Sequence, residues 1–145
     1  MTGLSAARIG EGGQLSLTAK EMRPRKRVLL VEDFEDSRIG LSKLLETEGY
    51  EVLEAADGAQ ALEIAAKSKP DIILMDLSLP VMDGLTATRA IKENDATKSI
   101  PIIALSAHSK DDARPVAEAV GCVDFITKPV EFSTLAAAIS NCLSD

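Results

Sequence analysis

Five short aliphatic runs constrain this chain more than any other feature of it. They are Val28–Val31, Val52–Leu53, Ile72–Met75, Ile100–Leu105 and Val123–Ile126. Each is too short for a helix and rich in β-branched or aliphatic residues, so each reads as a buried strand. The segments between them carry helical spacing instead. Leu41, Leu44 and Leu45 share one face, and Ala59 to Ala66 repeats small and aliphatic residues at i, i+3 and i+4. Leu85 to Ile91, Val116 to Val120 and the core stripe Leu135, Ile139, Leu143 complete the series. Asp36, Asp57 and Asp83 stand where the N-caps of the first three helices are expected. Pro115 falls inside the fourth helical segment, where it is tolerated only in a first turn. That helix is therefore expected to start late, at or after Asp111, behind a loose Ser109–Asp112 loop. Five strands alternating with five helices predict an α/β fold: a doubly wound, three-layer sandwich around a five-stranded parallel sheet. Such sheets bind ligands beyond the carboxyl ends of their strands.

Those strand ends gather one kind of chemistry. The first ends in Glu32-Asp33, the third in Asp76, the fourth in Ser106 and the fifth at Lys128-Pro129. Three acids on one rim repel unless a cation sits among them. Oxygen-only ligands of this sort suit Mg²⁺, a hard ion that often bridges to phosphate. A lysine beside them can hold an anionic oxygen as a point charge, and a serine can hydrogen-bond another. The inventory describes a phosphoryl site, with Asp76 as carboxylate nucleophile and Glu32 and Asp33 as metal holders.

Charge and composition narrow the alternatives. The chain has 145 residues, enough for one domain with a real core. It carries a net charge of −7. Residues 1–27 hold six basic and two acidic side chains, so the remainder is strongly acidic. That acidic body argues against a nucleic-acid surface on the globular part. The basic run Met22–Arg27 reads as a solvated leader. Residues 1–25, with glycines at 10, 12 and 13, are expected to be a flexible N-terminal extension before a domain spanning 26–145. No run of 18 apolar residues predicts a membrane span, and no signal-peptide core is present. Cys122 and Cys142 fit no metal pattern and are expected as reduced, packed thiols in a cytoplasmic protein.

From about Arg27 to Leu143 the chain resembles the receiver domain of bacterial response regulators, a flavodoxin-like (CheY-like) fold. The matching stretches are VLLVEDF, DIILMDLSLPVMDG, PIIALSA and GCVDFITKP. The resemblance implies that Asp76 accepts a phosphoryl group. It also implies that Asp33 ligates Mg²⁺ directly, Glu32 acts at the edge or through water, and the Ser78 backbone carbonyl is a further ligand. Ser106 matches the switch hydroxyl, Lys128 the lysine that pairs with the phosphoryl group, and Phe125 the aromatic that swings inward on activation. The side chains of Ser78 and His108 match positions that tune dephosphorylation, and the peptide before Pro129 is commonly cis. Glu32 departs from the commoner Asp, and Phe125 lacks a tyrosine hydroxyl.

The same resemblance implies a histidine kinase or histidine phosphotransfer protein as phosphodonor. Phe34 and Ile39 are its candidate contacts. A downstream effector is expected at the fourth and fifth helices, which could also pair two copies as a homodimer. With Asp145 following the last helix, the expectation is a stand-alone receiver with no nucleic-acid binding in cis. It would catalyse only its own phosphorylation and dephosphorylation. A degenerate receiver used as a binding module is one alternative. A Mg²⁺-dependent phosphatase of the haloacid-dehalogenase type is another, but it needs a second Asp where this chain has Ser78. A nucleotide-binding fold is disfavoured because no phosphate-binding GxxxxGK[ST] loop is present.

Overall fold

The computed structural model describes residues 8–9, 15–16, 25–79, 81–107 and 110–143. Near the amino terminus Arg8–Ile9 pairs antiparallel with Leu15–Ser16. The rest is a strict alternation: β1 (Arg27–Val31), α1 (Glu35–Thr47), β2 (Glu51–Ala55), α2 (Gly58–Ser68), β3 (Ile72–Asp76), α3 (Gly84–Glu93), β4 (Ile102–Ser106), α4 (Lys110–Ala119), β5 (Asp124–Thr127) and α5 (Phe132–Leu143). All four ladders are parallel and the strand order is β2-β1-β3-β4-β5. This is the flavodoxin-like order, in which the switch point lies between β1 and β3. The expected fold class is the observed one.

Strand alternation sorts the core into two layers. Leu29, Val31, Ile73, Met75, Ile102, Ala104 and Phe125 face one side, where α2, α3 and α4 meet them largely with alanines: Ala61, Ala65, Ala87 and Ala117. Val28, Leu30, Ile72, Leu74, Ile103, Leu105 and Ile126 face the other, where α1 and α5 meet them chiefly with Leu45, Leu135 and Ile139. β1, β3 and β4 are buried on both faces, which is why they read as unbroken aliphatic runs.

Local signals decide the helix starts. Asp57 caps α2 by accepting from the Gln60 N–H at 2.8 Å, and Asp83 caps α3 by accepting from Thr86 N–H at 2.8 Å. The expected Asp36 cap is corrected: α1 begins at Glu35 with Phe34 in the cap position and no side-chain cap. Glu35 and Asp36 lie inside its first turn, where the helix dipole favours acids. Leu44 is also corrected. The buried positions of α1 are Ser42 and Leu45, and Leu44 is turned outward at 46% exposure. The fourth helix starts at Lys110, one residue before the expected limit, so Lys110–Asp112 are helical rather than loop. Pro115 then sits in the second turn. It forfeits one backbone bond, while Ala117 is fully buried and Arg114 pairs with Glu118 at 2.9 Å.

Candidate phosphoryl site

Register brings the strand-end residues into one cluster. β1 and β3 are direct neighbours, pairing Val31 with Met75, so Glu32 and Asp76 leave adjacent strands at the same level. On the other flank Asp76 pairs with Leu105 and Ser106 with Thr127, which sets Ser106 and Lys128 next in line. The backbone N–H of Lys128 donates to the Ser106 carbonyl at 2.7 Å, and the peptide it makes with Pro129 is cis.

Asp76 is 3% exposed and Glu32 5%, a severe desolvation for two carboxylates unless each is paired. They are. The Lys128 ammonium donates to Asp76 Oδ2 at 2.8 Å and to Glu32 Oε1 at 2.8 Å. The second oxygens are held by backbone: Asp76 Oδ1 accepts from the Ser78 N–H at 2.9 Å, and Glu32 Oε2 from the Phe34 N–H at 3.0 Å. Burial pulls the Lys128 pKa down, but the hydrogen bonds it donates to Asp76 and Glu32, together with their negative charges, outweigh this and leave the ammonium above its ordinary value of 10.5. The lysine is therefore a fixed positive charge.

Asp33 completes the cluster from the exposed rim. One carboxylate oxygen from each of Glu32, Asp33 and Asp76 lies within 4.8 Å of the others. The donors are all hard oxygens and the net charge is negative even with Lys128 included, so the residues fit the Mg²⁺ that the resemblance implies.

Two glycines position the loop after Asp76. A Cβ on Gly84 would stand 2.2 Å from the Asp76 carbonyl oxygen, and one on Gly58 would stand 2.2 Å from the Met82 carbonyl oxygen. Both ends of the β3–α3 connection are thus seated backbone to backbone. Within it, Val81 takes a left-handed φ of 67°, an unfavourable conformation for a β-branched residue.

The remaining predicted positions spread outward. Ser106 is fully buried at the β4 end and lines a cavity of about 340 Å³ shared with Ser78. Phe125 is buried in the α2–α3–α4 layer. Phe34, whose N–H donates to Glu32, is 61% exposed, and Ile39 on α1 is 40% exposed. His108 lies outside the described residues. Sequence reasoning missed Asp112, which the first turn of α4 brings to the same cavity. Placing it in a loop hid the helical geometry that carries it there. It also missed Gly58, whose only signal was its place after the capping Asp57.

Among the described residues no helix is long and apolar enough to cross a membrane. The response regulator receiver domain profile matches residues 28–140. The chain is 43% identical over 106 residues to a protein-glutamate methylesterase/protein-glutamine glutaminase of Archaeoglobus fulgidus, covering 71% of this chain and 30% of that protein. It is 36% identical over 121 residues to the polar-differentiation response regulator DivK of Brucella anthropi, covering 83% and 98%. Among solved structures it resembles the receiver domain of the sensor histidine kinase PA1611 from Pseudomonas aeruginosa PAO1, which has a magnesium ion coordinated in its active-site cleft. That likeness has a TM-score of 0.78 and 34% identity, covering 84% of this chain and all of that one. The chain thus spans less than a third of the methylesterase but nearly all of DivK. With the strand order, the acidic cluster and a profile match over most of its length, this chain belongs to the response regulator receiver domain family of two-component signalling.

Proposed function

We propose that residues 26–145 form a Mg²⁺-dependent receiver that accepts a phosphoryl group on Asp76 from a histidine kinase or histidine phosphotransfer protein. The observation that carries this reading is the Asp76 carboxylate, held at a buried strand end by Ser78 N–H and Lys128 with Glu32 and Asp33 alongside. Bound Mg²⁺ would be held by Asp33, Asp76, the Ser78 carbonyl and Glu32, and would neutralise charge on the phosphoryl oxygens. An Asp76 carboxylate oxygen attacks the phosphorus, and the donor's phosphorus–nitrogen bond breaks. The new group brings about −1.5 to −2 of charge and three acceptor oxygens. Lys128 and the Ser106 hydroxyl are the groups within the rim that can satisfy them. Drawing them in biases the end of β4 and the packing of Phe125, shifting an equilibrium between two conformations.

The exposed Phe34 and Ile39 are assigned to donor docking, and the surface of α4 and α5 to an effector or a second copy. The reading as a regulator of this kind leans on the polar-differentiation response regulator DivK, which this chain covers over 98% of its length. Intact-mass analysis after incubation with acetyl phosphate and Mg²⁺ tests the core claim. A gain of one phosphoryl group is expected, absent in Asp76→Asn and in a chelated sample. No gain from acetyl phosphate or from any phosphohistidine donor would leave only a binding module.

A further inference from the structure

The acidic pair hangs on a turn that one arginine fastens. The β1–β2 ladder ends at Val31 and Ala55. Beyond it the Glu32 N–H still donates to the Ala55 carbonyl at 3.0 Å. The Glu32 carbonyl turns instead to α1 and accepts from the Arg38 guanidinium at 2.9 Å. A second N–H of that guanidinium donates to Glu54 Oε1 at 3.0 Å. Glu54 pairs with Leu30 in the ladder, so its side chain stands on the face of the sheet that α1 covers. The Arg38 side chain is only 17% exposed, so the fork is packed against the turn rather than free in solvent. With Lys128 and the Phe34 N–H on its carboxylate, Glu32 has a partner at every polar atom.

The bond to the carbonyl bears on the next residue. A peptide is planar, so pinning the Glu32 oxygen fixes the plane from which Asp33 departs. Asp33 is the exposed member of the cluster, with a carboxylate oxygen within 4.8 Å of those of Glu32 and Asp76. We propose that Arg38, anchored by Glu54, is a positioning residue for the metal site: it holds the Glu32–Asp33 peptide so that the Asp33 carboxylate is aimed before Mg²⁺ arrives. The inference rests on the Mg²⁺ site of the function proposed above. An arginine suits the task because its planar fork satisfies two acceptors at once, whereas a lysine ammonium acts as a point charge. Charge alone predicts the opposite effect. A guanidinium beside an acidic site repels a cation, so an Arg38 that acted only through its charge would, on removal, leave Mg²⁺ bound more tightly.

The test is the Mg²⁺ dissociation constant of the unphosphorylated full chain, measured by isothermal titration calorimetry in the wild type, Arg38→Met, Arg38→Lys and Arg27→Met. The constant is expected to rise about tenfold in Arg38→Met, at the low end of the loss that outer-shell partners of a metal site cause. A smaller rise is expected in Arg38→Lys, whose ammonium can still reach one of the two acceptors. Arg27→Met controls for lost stability, since Arg27 bridges the Ser68 carbonyl and Glu51 at the other end of β1. Its Mg²⁺ affinity is expected to match the wild type. Melting curves in chelator set a temperature at which every variant is folded. Uptake from acetyl phosphate should need about tenfold more Mg²⁺ for its half-maximal rate in Arg38→Met, yet reach the wild-type maximum once the metal is saturating. Unchanged or tighter Mg²⁺ binding in Arg38→Met would overturn the proposal, as would an equal loss in Arg27→Met. A wild type that binds no Mg²⁺ removes the metal site and this role with it, a result distinct from a shifted constant.

Discussion

Neutralising Asp33 should stabilise the metal-free protein and at the same time abolish its response to Mg²⁺. The three carboxylates Glu32, Asp33 and Asp76 present oxygens within 4.8 Å of one another, a spacing at which each pair repels by about 0.9 kcal/mol in water and more in a protein environment. Asp33 takes part in two of these repulsions, and the single ammonium of Lys128 offsets about one. Because Asp33 is at the exposed rim, the water-like figure is the relevant one. Asp33→Asn is therefore expected to gain about 1 kcal/mol in chelator, or roughly 3–5 °C in melting temperature for a domain of this size. With Mg²⁺ at a hundred times its dissociation constant the wild type gains about 2.7 kcal/mol, whereas the variant, lacking a ligand, gains little. The order of stability should invert between chelator and metal. Far-UV circular dichroism melts suit the assay, since the chain has no Trp and a single Tyr. A variant less stable than the wild type in chelator, or one stabilised equally by Mg²⁺, would refute the electrostatic account.

Backbone seating and proton linkage give two further outcomes. Gly84→Ala should lower the urea midpoint by the equivalent of about 2–3 kcal/mol, because the added carbon meets the Asp76 carbonyl oxygen and the Leu77 Cα rather than a movable side chain. Stability should also fall above pH 9. Burial pushes the Cys122 thiol from 9.0 up to about 11, so the folded chain keeps a proton that the unfolded chain releases across that window. The loss is on the order of 2 kcal/mol, and Cys122→Ala should flatten it in pH-dependent urea titrations. Lys128 acts in the same direction at higher pH. Its folded pKa lies above 10.5, so its contribution is complete below 10.5 and fades as pH climbs through the folded value.

The strands and the site acids were legible because their signals are local. Ile72–Met75 reads as a buried strand from composition alone, and an acid immediately after it demands a partner. Asp57 and Asp83 were readable caps because their short side chains reach the third N–H of the helix. Asp36 misled for the opposite reason: the cap position of α1 is Phe34, with no side-chain cap, and the capping residue type Asp36 lies two positions beyond it, inside the first turn. Leu44 and Leu45 are adjacent, and spacing could not decide which faces the sheet. Packing against β1 and β2 did. Pro115 suggested a shortened helix, but tertiary burial of Ala117 outweighs one missing bond. The bridge from Lys128 to Glu32 spans 96 positions. No periodicity encodes such a contact; it appears only once parallel register has stacked the strand ends.

The two layers of the core differ in grain size, and this sets where the molecule can yield. On the α1–α5 side, leucines and isoleucines interlock like coarse teeth, so a helix cannot slide without lifting bulky groups out of their sockets. On the α2–α3–α4 side the fully buried teeth are mostly alanine methyls, among them Ala117 on the inner face of α4, with Ile91 of α3 the bulky exception. A displacement of a fraction of an ångström there drags little apolar surface past its neighbour and meets a low ratchet. One half of the domain is a chassis and the other a sliding panel, and Asp112 and the cavity it lines ride on the panel.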